Sequence, residues 1–133
     1  MPENALARKM KLKPGAKAAV LNPPDGYMAE LSPLPDGVSL SDKLQGSFDW
    51  IQIFVKNKAE LEKTLPRVIK ALKPVSIVWI SFPKGTSKIQ TDLTRDKGWV
   101  ALEKADVKWL TLVSLNAVWS AFAVRPFKSG EAR

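Results

Sequence analysis

Residues 48–84 read FDWIQIFVKNKAELEKTLPRVIKALKPVSIVWISFPK, from Phe48 to Lys84. The two ends of this stretch are apolar runs of strand length, a pattern typical of strands that are covered on both faces. The segment between them places Leu61, Leu65 and Val68 on one helical face. The stretch therefore predicts a right-handed βαβ unit with two parallel strands.

Two prolines mark expected boundaries within this unit. Pro66 lacks an N–H group and would clash with the preceding helical turn, so we expect a break, with a second helical piece capped by Thr64. Lys73-Pro74 is expected to end the helix, and the second strand is predicted to run from Val75 to Phe82. Gln52 interrupts the first strand, and we expect a buried amide hydrogen-bonded to neighbouring backbone.

Further elements are predicted on both sides of the unit. A short N-terminal helix is expected after Asn4, stopped at Pro14-Gly15. The predicted strands outside the unit are Lys17–Leu21, Val38–Leu40, Val107–Val113 and Trp119–Val124, the last two forming an antiparallel pair. Short helices are expected through Tyr27 to Leu31 and from Thr91 to about Lys104, and residues 128–133 are expected to form a flexible tail.

Composition limits the chemistry open to this chain. It has 133 residues, the size of one domain, and contains neither cysteine nor histidine. Disulfides, cysteine or histidine metal ligands, histidine bases and thiol nucleophiles are therefore excluded. No metal site and no catalytic residue is predicted.

Charge and hydropathy suggest partners and location. The formal net charge of +8 favours anionic partners, and the densest basic run is Arg8, Lys9, Lys11, Lys13 and Lys17. This run is read either as a solvated helix end or as a phosphate-contacting patch. No apolar run approaches the ~20 residues of a membrane span, and no signal peptide is recognisable, so we expect a cytoplasmic protein without a membrane partner.

Three stretches share a recognisable spacing: Leu12-Lys13-Pro14-Gly15 before a strand, Phe48-Asp49 at the start of another, and Leu72-Lys73-Pro74 before a strand that ends in Ile80-Ser81. This spacing resembles that of class I S-adenosylmethionine (SAM)-dependent methyltransferases. A closer match is carried by residues 20–27 (VLNPPDGY), 91–96 (TDLTRD) and 118–120 (VWS). In these residues the chain resembles a family of small, functionally uncharacterised bacterial proteins with a shortened methyltransferase-like plan.

The resemblance implies a single α/β domain over residues 1–133. Its sheet would be Rossmann-like and mostly parallel, with a C-terminal antiparallel strand pair and helices on both faces. Relatives of this plan place an acidic, glycine-rich loop after the first strand, whereas this chain has Asn22-Pro23-Pro24-Asp25-Gly26. Because that glycine-rich loop is missing, no cofactor is predicted, and SAM is kept as the alternative. Asp42 is either the ribose-binding acid of the resemblance or a surface turn residue.

Ligands of open parallel sheets bind beyond the carboxyl ends of the strands. Three loops leave those ends here, namely residues 22–27, 56–57 and 83–88. The candidate ligand-binding residues on these loops and on the helix that follows are Asn22, Asp25, Gly26, Tyr27, Lys84, Thr86, Ser87, Lys88, Asp92 and Arg95. The lysines, Arg95 and a helix N-terminus would suit a small anion or a nucleotide, and an ordinary basic loop is the alternative.

Three functions compete at this point. The first is a non-catalytic binding or regulatory module on a degenerate methyltransferase-like fold, with an anion-binding crevice. The second is a minimal SAM- or nucleotide-binding enzyme. The third is a nucleic-acid-binding protein that uses its basic patches. Self-association through the C-terminal strands is a further expectation, because Trp99, Trp109 and Trp119 lie in that part of the chain.

Overall fold

The computed structural model describes residues 5–31, 34–84, 99, 107–116 and 118–126 of the chain. The helices within these residues are α1 (Ala5–Lys9), α2 (Tyr27–Leu31) and α3 (Lys58–Lys70). The strands are β1 (Lys17–Leu21), β2 (Ser39–Ser41), β3 (Phe48–Phe54), β4 (Leu72–Pro83), β5 (Val107–Ser114) and β6 (Trp119–Pro126).

The strands form one mixed sheet in the order β2-β1-β3-β4-β6-β5. The pairs β1–β2, β1–β3 and β3–β4 are parallel, and β6 pairs antiparallel with both β4 and β5. The predicted fold class, a mostly parallel α/β sheet with a C-terminal antiparallel pair, is confirmed. The chain leaves β1 toward β2 on one side and returns to β3 on the other, so the strand order reverses between β1 and β3.

Both faces of the sheet are covered, and each face has its own apolar cluster. On one face, Leu61, Leu65 and Val68 of α3 pack on the central strands. On the other face, Leu31 of α2 and Met10, which follows α1, are fully buried. Burial on both faces explains why β3 and β4 are apolar along almost their whole length.

The expected break at Pro66 is wrong, because α3 is one continuous helix of 13 residues with Pro66 inside it. Asn57 caps its start, and Thr64, which the sequence predicted as a cap, is a buried residue of the helix interior. Each large apolar side chain on the buried face contributes about 1.5–3 kcal/mol, and together these outweigh the roughly 3 kcal/mol that one interior proline costs.

Pro74 lies inside β4 and does not precede it. The helix ends at Lys70, and β4 begins at Leu72, three residues earlier than the prediction. Phe48 pairs with Leu72 but Trp50 pairs with Ile77, so the register shifts where Pro74 lies. A proline without an N–H is tolerated in a strand at such an irregularity.

The N-terminal segment is fastened to the centre of the sheet through Met10. The indole N–H groups of Trp50 on β3 and Trp79 on β4 both donate to the Met10 carbonyl oxygen, each at 2.8 Å. The helix α1 ends before Lys11, which has a φ of 59°, and not at the predicted Pro14-Gly15. The two tryptophans are core residues, as expected.

The remaining predictions divide into those tested and those outside the described residues. The strand Lys17–Leu21 is confirmed to the residue, and β2, β5 and β6 agree with their predictions to within two residues. The helix from Thr91, the Asn4 cap and the tail at 128–133 fall outside the described residues. Self-association through the C-terminal strands stays a prediction, with β5 outermost among the described strands at its edge.

Candidate functional site

A crevice opens where the strand order reverses, at the carboxyl ends of β1 and β3. One part of it, about 590 Å³, is lined by Asn22, Pro23, Pro24, Asp25, Phe54, Lys56, Glu60 and Trp119. A second part, about 490 Å³, is lined by Val20, Pro23, Met28, Leu40, Ser41 and Asp42. The two parts share Pro23 and together form what we call the switch-point crevice. This is the position at which open α/β sheets bind their ligands.

The loop after β1 forms the wall between the two parts. Asn22 adopts a left-handed conformation with φ 55°, which asparagine tolerates better than most residues. The N–H of Tyr27 donates to the Pro24 carbonyl at 3.1 Å, and Gly26, with φ 83°, occupies the third position of this turn as type II geometry requires. The prolines have no N–H, so at most Asn22, Asp25 and Gly26 can offer backbone donors to a ligand.

Asp42 stands at the carboxyl end of β2, on the second part of the crevice. The turn that carries it is fixed by Ser41, whose hydroxyl donates to the Lys43 carbonyl at 2.9 Å and accepts from the Lys43 N–H at 3.1 Å. The Asp42 side chain is exposed and lines the cleft. A carboxylate in this position can accept hydrogen bonds from vicinal hydroxyl groups.

The opposite wall is the start of α3. The Asn57 side chain accepts from the Glu60 N–H at 2.9 Å, and the Glu60 carboxylate accepts from the Lys56 N–H at 3.1 Å. This reciprocal arrangement is close to a capping box and holds Glu60 in place. Glu60 therefore has a structural task in addition to its position on the crevice.

The rings of Phe54 and Trp119 line the crevice, and the ring of Tyr27 packs against Phe54. Phe54 meets Tyr27 edge-on at 4.7 Å between ring centroids and Trp119 edge-on at 5.1 Å. Tyr27 is only 1% exposed. Its side chain fills space below the turn and does not project into the crevice as a ligand contact.

The Tyr27 hydroxyl belongs to a buried polar chain. It donates to the Gln52 side-chain oxygen at 2.6 Å, and the Gln52 amide nitrogen donates to the Ser81 hydroxyl at 3.0 Å. Gln52 is thus satisfied by side chains of two other elements, and not by neighbouring backbone as predicted. Burial raises the pKa of Tyr27 well above its usual range, and the Gln52 hydrogen bond offsets only part of this effect. Tyr27 therefore cannot act as a base at neutral pH.

Carboxylates dominate the described lining of the crevice. Asp25, Asp42 and Glu60 line it, against the single cation of Lys56. Such a lining attracts cationic groups and hydroxyl donors more readily than anions. Among the described residues, no group of three or more acids suitable for holding a metal ion exists.

The structure brings together part of the predicted site. Asn22, Asp25, Gly26 and Tyr27 share one loop at the switch point, as the sequence suggested, although Tyr27 is buried. The ammonium group of Lys84 donates to the Ser114 hydroxyl at 2.6 Å. The backbone N–H of Lys84 donates to the Val118 carbonyl at 2.7 Å, so both contacts lie beside the β5–β6 turn. Thr86, Ser87, Lys88, Asp92 and Arg95 fall outside the described residues.

Trp119 and Phe54 are crevice residues that sequence reasoning did not assign. Trp119 begins β6, and because β6 runs antiparallel to β4, its first residue reaches the edge where the parallel strands end. The register Pro83↔Trp119 places it there, and only the pairing partner of β6 could have revealed this from sequence.

No helix in the described part of the chain is long and apolar enough to cross a membrane.

Comparison with solved structures identifies the class of fold. The chain superposes on a ribosomal protein L11 methylase from Lactobacillus delbrueckii subsp. bulgaricus with a TM-score of 0.59 and 15% identity, covering 92% of this chain and 76% of that one. For DhpI in complex with S-adenosylhomocysteine (SAH) the TM-score is 0.62 with 12% identity, covering 92% and 82%. For magnesium protoporphyrin IX methyltransferase from Synechocystis PCC 6803 with bound SAH the TM-score is 0.59 with 8% identity, covering 92% and 78%.

The fold is therefore that of class I SAM-dependent methyltransferases, as the sequence resemblance implied. Several other matched structures are longer, and the chain spans 39% to 50% of their length. No protein-family model and no curated protein matches the sequence.

Proposed function

We propose that this chain binds SAM or its product SAH in the switch-point crevice and acts as a small methyltransferase-like protein. The observation that carries the proposal is Asp42, an exposed carboxylate at the end of β2 on a cleft continuous with the loop after β1. Support also comes from the fold, since DhpI and magnesium protoporphyrin IX methyltransferase were solved with SAH.

The residues of the crevice fit such a ligand in two respects. Asp42 would accept hydrogen bonds from the ribose hydroxyl groups, and Asp25 would offset cationic charge on the ligand. Pro23, Met28 and Leu40 are half-buried and supply apolar surface beside Asp42. SAM, when bound, supplies a methyl group activated by its sulfonium charge. The chain's own part is to position the ligand and exclude water. Of the three acids that line the crevice, Glu60 accepts a hydrogen bond from the Lys56 N–H, whereas Asp25 and Asp42 are placed to face a ligand.

The binding experiment is isothermal titration calorimetry with SAM and SAH on the wild type, Asp42→Asn and Asp36→Asn. Asp36 is a matched control, because it is an exposed turn aspartate before β2, away from the crevice. Loss of hydrogen bonds to a charged acceptor costs about 1.5–3 kcal/mol, so Asp42→Asn should weaken binding about tenfold to hundredfold. Asp36→Asn should bind as the wild type does.

A stability measurement provides a second readout. A ligand at 100 times its Kd should raise the free energy of unfolding by about 2.7 kcal/mol. If neither SAM nor SAH binds or stabilises the wild type at millimolar concentration, the proposal is wrong. Equal loss of affinity in both aspartate variants would remove the role given to Asp42.

A non-catalytic binding module is the second candidate, and the loop after β1 favours it. Two prolines lower the number of backbone donors there, and the only tyrosine is buried and hydrogen-bonded. In this case SAM would bind without being consumed. Conversion of SAM to SAH by the purified protein with any acceptor would exclude this candidate, whereas binding without conversion would favour it.

A further inference from the structure

A buried chain of three polar side chains lies beneath the loop after β1. Tyr27, the first residue of α2, donates its hydroxyl hydrogen to the Gln52 side-chain oxygen at 2.6 Å. Gln52 lies on β3, and its amide nitrogen donates to the Ser81 hydroxyl on β4 at 3.0 Å. All three residues are at most 1% exposed. The chain therefore joins three separate elements close to the edge of the sheet where the switch-point crevice opens.

The fold does not require a polar residue at position 52. The neighbouring positions of β3 carry buried apolar side chains, namely Trp50, Ile51, Ile53 and Phe54. A buried hydrogen-bonded pair can be replaced by apolar groups of the same shape with little change in stability. A fully satisfied polar network, in contrast, fixes one arrangement of the elements that it joins. The contribution of Gln52 is thus a defined geometry more than added stability.

On one side, the chain fixes the loop that forms the wall of the crevice. The backbone N–H of Tyr27 donates to the Pro24 carbonyl at 3.1 Å, which closes the turn. Asp25, between these two residues, lines the crevice. The Tyr27 ring also contacts the ring of Phe54, a second lining residue, at 4.7 Å between centroids. A displacement of Tyr27 would therefore move the wall of the crevice.

On the other side, the chain is held by the central strands. Gln52 pairs with Val20 on β1 and with Trp79 on β4, so its backbone is fixed from both sides. The Ser81 carbonyl accepts a hydrogen bond from the Val55 N–H at 2.9 Å. Gln52 and Ser81 therefore form a rigid reference against which Tyr27, at the end of a loop, is held.

We propose that Gln52 is a positioning residue for the ligand of the switch-point crevice and that, through Tyr27, it holds the loop after β1 in its binding conformation. This inference rests on the proposed binding of SAM or SAH. Gln52 lines neither part of the crevice, so it acts without touching the ligand. A glutamine suits this task because its side chain both accepts and donates, whereas an ionised glutamate only accepts.

The test measures the affinity for SAM by isothermal titration calorimetry in the wild type and in two variants of the chain. Tyr27→Phe removes only the hydroxyl group and leaves the Gln52 oxygen without its donor. The triple variant Tyr27→Phe/Gln52→Met/Ser81→Ala replaces every polar member by an apolar group of similar shape, so that no member of the chain is left unsatisfied.

Ser76→Ala is the matched control. Ser76 is a fully buried serine of the same strand, β4, but it lies near the start of the strand, away from the crevice. Its hydroxyl donates to the Phe48 carbonyl and accepts from the Lys73 N–H. Ser76→Ala therefore removes buried hydrogen bonds without touching the Tyr27–Gln52–Ser81 chain, and it should bind SAM as the wild type does.

We expect Tyr27→Phe and the triple variant to bind SAM about tenfold more weakly than the wild type, which corresponds to a loop that holds its binding conformation about one-tenth of the time. The urea midpoint of the triple variant should match that of the wild type, so stability would not account for the lost affinity. Because fewer molecules are ready to bind, the association rate constant should fall while the dissociation rate constant stays within about twofold. Stopped-flow measurement of the tryptophan emission separates the two rates.

Two results, obtained with a wild type that binds SAM, would overturn this inference and leave the proposed function standing. The first is wild-type affinity in Tyr27→Phe or in the triple variant. The second is an equal loss of affinity in Ser76→Ala, which would trace the effect to general destabilisation. A wild type that binds neither SAM nor SAH would instead overturn the proposed function, and this inference with it.

Discussion

Trp50 and Trp79, which lie on neighbouring strands, share one hydrogen-bond acceptor, because both indole N–H groups donate to the Met10 carbonyl oxygen at 2.8 Å. Either tryptophan alone can satisfy this buried carbonyl. The N-terminal segment is therefore fixed to β3 and β4 by a doubled contact, and the two tryptophans should be energetically coupled.

We predict that Trp50→Phe and Trp79→Phe are more destabilising together than the sum of the two single changes. Each single variant leaves the Met10 carbonyl with one donor, whereas the double variant leaves a buried acceptor unsatisfied at a cost of about 1–3 kcal/mol. Urea unfolding of the four proteins in the double-mutant cycle measures this coupling. Trp50→Phe combined with Trp109→Phe should be additive within about 0.5 kcal/mol, because Trp109 packs on the other face of the sheet. Additivity in the first pair would contradict the shared contact.

Because the Tyr27 hydroxyl is buried, we expect the folded protein to lose stability at alkaline pH. Burial raises its pKa in the folded protein above the value of about 10 in the unfolded chain. The stabilisation from the neutral hydroxyl is therefore complete below pH 10 and is lost as pH rises above it, at about 1.4 kcal/mol per pH unit. Tyr27 is the only tyrosine, so tyrosinate absorbance reports on it alone.

The matched variant for this prediction is Tyr27→Phe. It should lack the part of the alkaline slope that Tyr27 contributes, while lysine titration is retained in both proteins. Near neutral pH it should be less stable than the wild type by about 1–3 kcal/mol, since the Gln52 side-chain oxygen loses its donor. A tyrosinate signal that forms near pH 10 in the folded wild type would show that the hydroxyl is not buried as described.

Replacement of Pro66 by alanine should stabilise the protein. Alanine restores the hydrogen bond from residue 66 to the Glu62 carbonyl and removes the ring clash in the middle of α3. We expect a gain of about 1–2 kcal/mol in the free energy of unfolding, measured by urea denaturation, after allowance for the greater freedom of the unfolded chain. Arg67→Ala, an exposed change at the next position, should alter stability by no more than about 0.5 kcal/mol. A destabilised Pro66→Ala variant would indicate that the proline has a local role that the helix does not explain.

Glycine substitutions at Lys11 and Lys13 should change the free energy of unfolding in opposite directions. Lys11→Gly relieves a left-handed backbone conformation and should raise the free energy of unfolding by about 0.5–1 kcal/mol. Lys13 has no positive φ, so Lys13→Gly should lower it by a similar amount through the unfolded chain. Thermal unfolding with matched buffers distinguishes the two. If both changes destabilise, the strain attributed to Lys11 is absent.

The βαβ unit of residues 48–84 could be predicted from the sequence, because strands that are apolar on both faces must lie inside a sheet that is covered on both sides. It failed at Pro66, where a local rule about proline competes with burial of Leu61, Leu65 and Val68 on one continuous face. Local chemistry cannot reveal how much tertiary burial will compensate for a missing hydrogen bond. The same limit applies at Leu72, since the extra residues of β4 are absorbed by a register shift that no single strand encodes.

The candidate site was predicted in part for a similar reason. The loop from Asn22 to Tyr27 could be assigned because it directly follows a recognisable strand. Trp119 could not, because its position at the crevice depends on antiparallel pairing with a strand more than 30 residues earlier.

Trp119, which contacts Phe54 edge-on, gives the crevice an intrinsic fluorescence probe. Trp119 lines the crevice and is 5% exposed, so a ligand that displaces water from its indole ring should shift its emission without any added label. Comparison with Trp119→Phe would isolate this contribution from that of the four other tryptophans. Occupancy of the crevice can thus be followed by the wavelength of the protein's intrinsic tryptophan emission, in real time and in rapid-mixing experiments.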